Sequence, residues 1–276
     1  MKQWIGWLVF FTTVSTFAAQ DFIPIQEKAQ GQALSGSIQT NESLYSNPAA
    51  SSFVNIYSID GSLSLPRSFA VSVLDTQTSE FGGAIGYYRK AADSDYFSSE
   101  TASSNKWIQG AKLALMGKLS NNIGIGVSGK SIWGPDSLGK DSKVLDADVG
   151  VLFNGGLFQL GAVLRNVLGG KESMRLSREY SIGGKISYDQ ILSLSVATQA
   201  KINSATPYQV GVGAEYVSPY YFGLRGGYRF STQENINFWS VGASFISPRL
   251  SLHYALEMPS QPNTPSDHML GTTILF

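Results

Sequence analysis

The chain contains two histidines, His253 and His268, and these are its only side chains that ordinarily titrate near neutral pH. His253 follows Ser251 by two residues, so both side chains would lie on one face of a strand. A serine beside a histidine is the core of a hydrolytic site, but a third group has to orient the imidazole, and the sequence identifies none. Because a histidine on the polar face of a strand is more often structural, we expect no catalytic residues. A hydrolase is the least favoured function.

Other reactive chemistries lack their sequence signatures. The chain has no cysteine, and its histidines and acidic residues do not show the spacing of metal ligands. Gly124, Gly126 and Gly129 are closely spaced, but they lie within a strand pattern and open no helix that would bind phosphate. The 20 basic and 20 acidic residues cancel, so there is no electrostatic footprint for nucleic acid. We therefore expect no metal, no cofactor and no nucleic-acid partner.

Many of the charged residues fall at alternating positions of extended segments. The clearest segment runs from Tyr220 to Phe230, where aromatic and apolar residues alternate with Arg225, Arg229 and glycines. A strand with lipid on one side and a wet lumen on the other alternates over about 10 residues, whereas strands of a soluble β-sandwich are usually shorter. The alternation therefore favours a transmembrane barrel over a sandwich of similar composition. The polar residues expected to face the lumen are Lys112, Lys130, Asp146, Asp148, Arg165, Lys185, Gln199, Lys201, Glu215, Arg225, Arg229, His253 and Glu257.

Applied to the whole chain, the alternation predicts about fourteen strands, beginning with 53–60 and 68–75 and ending with 249–257 and 268–276. An even count is typical of single-chain bacterial barrels, and tight turns alternate with longer connections as they do there. A charged fraction of only 14% fits a large lipid-facing surface. The predicted fold is all-β, a transmembrane antiparallel up-and-down β-barrel over residues 51–276.

Both signs of charge occur among the residues expected to face the lumen, and they could pair across the barrel or with Glu27, Lys28 and Glu42. A charge-selective filter would more plausibly show a cluster of one sign. We therefore favour a hydrated interior network that holds a plug in place.

The two ends of the chain carry targeting features. Lys2, the apolar run 4–11 and the small residues 15–19 predict a secretory signal peptide over residues 1–19. At the other end, Gly271, Ile274 and Phe276 resemble the β-signal read by the outer-membrane assembly machinery, although Met269 stands where a polar residue is usual. The sequence thus predicts the outer membrane of a Gram-negative bacterium, with lipid and the assembly machinery as partners.

Residues 20–50 alternate poorly and are predicted to form an N-terminal plug inside the barrel. Near its end lies Asn47-Pro48-Ala49. Proline fixes its own backbone angle and biases the preceding residue away from helix, and asparagine favours turns, so a structural corner is the default interpretation. The functional alternative is that this corner sets the plug against the lumen wall, so that moving it opens a path.

At this motif the chain resembles the superfamily that contains the FadL-type transporters of hydrophobic compounds and the PorV-like barrels associated with protein secretion. In that superfamily an Asn-Pro-Ala motif follows a similar N-terminal segment. Fragments 73–79, 160–166 and 224–228 are also similar to PorV-like members. The FadL-type resemblance implies passive transport of small hydrophobic molecules. The PorV-like resemblance implies instead a docking or assembly role for secreted or surface proteins.

Overall fold

The computed structural model describes residues 22–65, 68–91, 107–136, 140–169, 176–189, 191–202, 207–232, 236–261 and 264–276. The predicted signal peptide, 1–19, lies outside the described residues, as do parts of several predicted loops. Within the described part, no helix is both long and apolar enough to cross a bilayer.

Fourteen antiparallel strands form one closed barrel in which each strand pairs with its neighbours in sequence and β1 pairs with β14. This confirms the predicted fold class. The strands are β1 Tyr57–Leu65, β2 Ser68–Asp75, β3 Gly82–Ala91, β4 Trp107–Lys118, β5 Ile123–Pro135, β6 Asp141–Asn154, β7 Phe158–Arg165, β8 Glu179–Tyr188, β9 Leu192–Lys201, β10 Gln209–Val217, β11 Phe222–Ser231, β12 Ile236–Ile246, β13 Leu250–Pro259 and β14 Asp267–Leu275.

The alternation of the sequence becomes two faces of the wall. In β11, Phe222 and Leu224 are more than half exposed, whereas Arg225 and Arg229 are buried in the interior. Such an inverted distribution, with apolar residues outside and charges inside, is stable only where the outer face meets lipid. Outward-facing aromatic residues lie near both ends of the strands, as expected at the two membrane interfaces. They include Phe69, Tyr87, Trp133, Trp239, Tyr188, Tyr216, Tyr221, Phe222 and Phe245.

The barrel has two different ends. At one end, which we call the turn end, lie the connections 76–81, 119–122, 155–157, 218–221 and 247–249. The first and last residues of the wall also meet there, because the Phe276 amide donates to the Tyr57 carbonyl at 2.9 Å and their rings stack edge to face at 5.5 Å. The connection between β8 and β9 lies at this end as well, and the opposite end, the loop end, carries the others. Near the turn end Gly271 faces the interior and Ile274 faces outward, and the role of these residues in assembly stays a prediction.

The first strand differs from its predicted range, 53–60. A 3-10 helix covers Ala50–Phe53, and the wall begins only at Tyr57 and continues to Leu65. The physical reason is that the chain before Tyr57 is held inside the barrel: the Ser52 hydroxyl donates to the Ile125 carbonyl at 3.3 Å, and Val54 and Ile56 pack against buried apolar side chains. We call residues 22–56 the internal segment, because they lie inside the barrel rather than in its wall.

Candidate functional site

The internal segment reaches nearly all of the lumen wall. Its one α-helix, α1 Ile25–Ala29, contacts strands β11–β14, and the 3-10 helix Asn41–Leu44 contacts β1–β4. The 3-10 helix Ala50–Phe53 contacts β4–β6. Almost all of its described residues up to Ser52 are buried, including charged and amide side chains. The described interior is therefore packed by protein and hydrogen-bonded rather than open.

On one side the segment packs backbone against backbone. A set of inward-facing glycines, which we call the glycine track, lies on β5–β8, β10 and β11. A Cβ atom on any of them would come closer than 3.0 Å to the internal segment, so only glycine allows this contact. The glycine track consists of Gly126, Gly150, Gly161, Gly183, Gly211, Gly213 and Gly227.

The predicted corner Asn47-Pro48-Ala49 sits against this track. The Asn47 amide donates to the carbonyls of Ser35 at 2.8 Å and Val151 at 3.3 Å, and its own oxygen accepts from the Ala49 amide at 3.0 Å. Pro48 lies over Gly126. Asn47 thus ties two turns of the internal segment to each other and to β6, which is what a structural corner requires. Whether the corner moves stays a prediction.

A cluster of buried ion pairs lies between β4 and β7. Asp148 pairs with Lys112 at 3.1 Å and Lys130 at 2.8 Å, and it accepts a hydrogen bond from the backbone amide of Asn166 at 3.0 Å.

The neighbouring Asp146 accepts hydrogen bonds from the backbone amides of Ala147 at 2.7 Å and Leu168 at 3.0 Å. The two aspartates therefore hold the chain that follows β7. Arg165 reaches the internal segment, where it donates to the Ser46 carbonyl at 3.3 Å.

A second polar cluster joins β8 to β13. Glu215 pairs with Lys185 at 3.1 Å and with Arg225 at 2.8 Å, and Arg225 also donates to the Gln26 side chain at 3.0 Å.

The same Arg225 links this cluster to His253. It donates to the Ser244 hydroxyl, which lies 2.9 Å from Nδ1 of His253. The described hydroxyl partner of His253 is therefore Ser244 on the neighbouring strand, not Ser251. A serine hydroxyl that already accepts from an arginine is placed as a structural link.

A third cluster lies on β10–β13 towards the loop end. Arg229 pairs with Glu257 at 3.3 Å, and its guanidinium stacks 3.7 Å from the centroid of the Phe238 ring. The Gln209 amide donates to Gln32 of the internal segment at 2.8 Å. Lys28 of α1 also pairs with Asp267 of β14. The charged residues expected in the lumen lie on the inner face, and the ion pairs among them join opposite charges, so they do not form a single-sign cluster.

The opposite side of the interior is apolar, and sequence reasoning missed it. Buried apolar side chains of the internal segment meet apolar side chains of β2–β4, β13 and β14, forming what we call the apolar seam. The rings of Phe22 and Tyr45 lie 5.2 Å apart, and Tyr45 lies 6.1 Å from Tyr88 of β3. The wall residues of the seam are Ala70, Leu74, Ala84, Tyr88, Ala114, Met116, Ala255 and Met269.

Glu42 of the internal segment is the acidic group most altered by its surroundings among those with a stated pKa. Burial raises the pKa of its carboxyl to about 8. The backbone N–H of Gln26, which donates to this carboxyl at 2.9 Å, and the positive charge of Arg225 both act to lower the pKa. The negative charges of Asp60 and Glu27 act in the same direction as burial. The interior therefore favours a protonated Glu42 at neutral pH.

This shift predicts a pH dependence of stability. Because the folded-state pKa lies above the ordinary glutamate value of 4.5, the stabilisation is complete below about pH 4.5 and is lost as pH rises through about 8. We expect thermal unfolding of the purified barrel to occur at lower temperature at pH 9 than at pH 5, and Glu42→Gln to flatten this difference. Glu80→Gln, at an exposed turn residue, is the control. Equal pH profiles for all three proteins would contradict the assignment.

Metal chemistry has no visible site in the described residues, where no group of three histidine or acidic side chains is placed to hold an ion. The interior offers instead a packed segment, a polar side and an apolar side.

Solved structures of similar fold include proteins described as transporters and channels of hydrophobic compounds. The chain superposes on the Pseudomonas putida toluene transporter TodX with a TM-score of 0.63 and 11% identity, covering 94% of this chain and 98% of that one. The CymD monoaromatic hydrocarbon channel gives 0.63 and 10%, over 92% and 96%. A Pseudomonas aeruginosa FadL homologue gives 0.61 and 11%, over 93% and 99%. At these identities the likeness establishes the fold, and it confirms the resemblance in fold to the FadL-type barrels.

No protein-family model matches the chain. No curated protein matches it by sequence either.

Proposed function

We propose that this chain is an outer-membrane barrel that lets small hydrophobic molecules pass between its internal segment and its wall. The observation that carries the proposal is the apolar seam. It runs from Tyr88 in the loop half of β3 to Leu74 and Met116 near the turn end, and it lines the interface between internal segment and wall. A hydrophobic solute can replace such contacts without leaving a polar group unpaired. The proteins of like fold, a toluene transporter and a monoaromatic hydrocarbon channel, support this class of solute.

The proposed mechanism assigns different roles to the two sides of the interior. On the polar side, the glycine track and the hydrogen bonds that Arg165, Gln209 and Arg225 donate to the internal segment hold it in register. On the seam side the buried cluster makes apolar contacts, and solute entry would also have to break a few polar ones. The Asn41 side chain donates to the carbonyls of Ser58 at 3.4 Å and Ser72 at 3.3 Å, the Tyr45 hydroxyl donates to the Val71 carbonyl at 3.2 Å, and Lys28 pairs with Asp267. A solute entering from the loop end would part these contacts and continue towards the turn end. Deleting the gene should abolish uptake of a monoaromatic hydrocarbon such as toluene, and a plasmid copy should restore it; unchanged uptake across a broad panel of hydrophobic solutes would end the proposal.

Movement of the internal segment is tested by a removable cross-link. Ser35 and Ser181 of β8 place their hydroxyl oxygens 2.6 Å apart, and the chain has no native cysteine to interfere. Such proximity suits a disulfide in Ser35→Cys/Ser181→Cys. Because β8 lies on the side that holds the segment, we expect the oxidised variant to take up hydrophobic solutes as the reduced variant does; loss of uptake on oxidation would contradict a path confined to the apolar seam.

The control is a disulfide of similar geometry within the internal segment. The hydroxyl oxygens of Ser43 and Ser51 lie 2.9 Å apart, so Ser43→Cys/Ser51→Cys stiffens the segment without fastening it to the wall. Uptake should survive oxidation of this control. If the oxidised Ser35→Cys/Ser181→Cys variant transports normally, passage does not require the segment to leave β8.

A second function, docking of secreted or surface proteins, is favoured by one observation. The described interior is filled, and its polar contacts resemble a permanent closure more than a channel. For this role, protein extracted in mild detergent from its native membrane should retain a stoichiometric protein partner by mass spectrometry. A stoichiometric hydrophobic molecule would favour transport instead.

A further inference from the structure

An apolar groove of about 860 Å³ lies on the outer surface of the wall across β4–β8. One side of it is a row of outward-facing residues that runs across five strands, each paired in register with the next. These residues are Leu115, Val127, Val149, Leu164 and Tyr180.

The other side of the groove is the adjacent cross-strand row, which contains its smallest residues. The depression arises because Gly117 and Ala162 have small side chains. The Phe81 ring lies beside Gly117 and borders the groove at the turn end. The remaining members of this row are Ile125, Val151 and Ile182. Ordinary lipid-facing side chains such as leucine at both small positions would fill much of the space.

Between these two rows lies a third cross-strand row, whose residues point into the lumen and contact the internal segment. Gly126 lies under Pro48, Gly150 under Asn47, and the Ser181 hydroxyl contacts that of Ser35 at 2.6 Å. The groove and the corner of the internal segment are therefore separated by a single layer of strand. The shape of this part of the wall depends on both faces.

The dimensions fit a linear hydrocarbon chain. Five strands at a spacing of about 4.8 Å give a groove roughly 19 Å long. One leaflet of a bilayer, half of a hydrocarbon core about 30 Å thick, accommodates a single acyl chain over about 15 Å. The volume is also within the range of about 300–1,000 Å³ found for ligand sites.

We propose that this groove binds one acyl chain of a membrane lipid, and that the seated internal segment keeps the groove in shape. The side chains of both rows are apolar except for the Tyr180 hydroxyl, so the groove offers nothing to a charged headgroup. The outer face of β4–β8 belongs to the lipid-facing surface, where acyl chains are the solvent. This inference does not depend on transport, because a docking barrel would present the same surface.

Binding in the groove is linked to seating of the segment. If the wall over Pro48 and Asn47 moved, the two outward rows would change their separation, so each event biases the other by the same free energy. A seated segment should favour an occupied groove, and an unseated segment should release the chain.

Photolabelling maps the proposed site directly. The full chain is reconstituted in phosphatidylcholine and phosphatidylethanolamine vesicles that contain a trace of phospholipid with a diazirine on one acyl chain. After irradiation, labelled peptides are identified by mass spectrometry. We expect several-fold more label per outward-facing residue on β5–β8 than on β10–β12. An even distribution around the barrel would overturn the proposal without affecting the uptake test above.

Two pairs of variants sharpen the result. Ala162→Phe fills the groove and should remove the enrichment, whereas Ala243→Phe, an outward-facing position on β12, should retain it. Gly126→Ala, which crowds Pro48, should weaken the enrichment, whereas Gly129→Ala, which meets nothing within 4 Å, should not. Enrichment that survives Ala162→Phe overturns the site, and enrichment that survives Gly126→Ala overturns its link to the segment. The wild-type map decides the first point even if a variant fails to fold.

Discussion

Gly126→Ala is expected to unseat the internal segment, although it adds only one methyl group. The added Cβ would lie closer than 3.0 Å to the Pro48 carbonyl carbon and the Ala49 nitrogen, which are backbone atoms. Gly126 is held in the wall by pairing with Met116 and Gly150, and proline limits the response of the segment because its own φ is fixed. Crowding of this kind costs about 1–3 kcal/mol in well-packed interiors.

Gly129→Ala on the same strand is the matched control, because its Cβ would point outward and meet nothing within 4 Å. Denaturant unfolding of both variants in the same detergent measures the difference in stability. Single-channel recording measures the consequence for the lumen, where we expect openings from Gly126→Ala and a quiet barrel from wild type and Gly129→Ala. Equal stability and equal conductance of the two variants would show that the segment tolerates displacement at Pro48.

Asp148→Asn is expected to have the largest effect of the charge substitutions. The side chains of Asp148, Lys112 and Lys130 are each at most 4% exposed, so both ammonium groups would lose a carboxylate in a site that water barely reaches. Removing one partner of a buried ion pair costs about 3–5 kcal/mol. The Asn166 amide would also lose a charged acceptor. We expect a marked fall in the denaturant midpoint.

Two comparisons separate charge from packing. Asp141→Asn, at an exposed position of the same strand, should leave the midpoint unchanged. The triple variant Lys112→Met/Lys130→Met/Asp148→Leu removes all three charges, and it should be less destabilised than Asp148→Asn alone, because apolar replacement of a buried ionic cluster is often neutral. If the triple variant is the weaker protein, the cluster stabilises the fold through its charges, and the desolvation argument fails.

The alternation of the sequence was sufficient to predict most of the wall. Successive residues of a barrel strand face lipid and lumen in turn, so each strand carries an alternating pattern that can be recognised in its own sequence. The strands β2, β13 and β14 therefore lie close to their predicted ranges, 68–75, 249–257 and 268–276. β1 was placed too early because Val54 and Ile56, which alternate as strand residues do, belong to the internal segment and pack against its buried cluster instead of forming the wall. A periodic pattern indicates which residues are buried, but it does not indicate which part of the molecule buries them.

The partners inside the lumen could not be predicted for a related reason. Ser244 and His253 are register partners on β12 and β13, and Lys112, Lys130 and Asp148 meet only through the registers of three strands. Sequence assigns a side to each residue but leaves these registers open. The apolar seam was missed because inward-facing residues such as Leu74 and Met116 carry the same signal as residues that face lipid.

The pairing of β1 with β14 also sets the order in which the molecule can be completed. Ser58 pairs with Leu275, so the wall cannot close until almost the whole chain is present. Contacts between residues so distant in sequence form slowly, because loop closure must precede them. The internal segment directly precedes β1, and its charged and amide groups find partners on strands made later, including β10, β11 and β14. Closing the cylinder and filling it are therefore expected to be a single late step of biogenesis, at which a defect in either terminus would leave the protein unassembled.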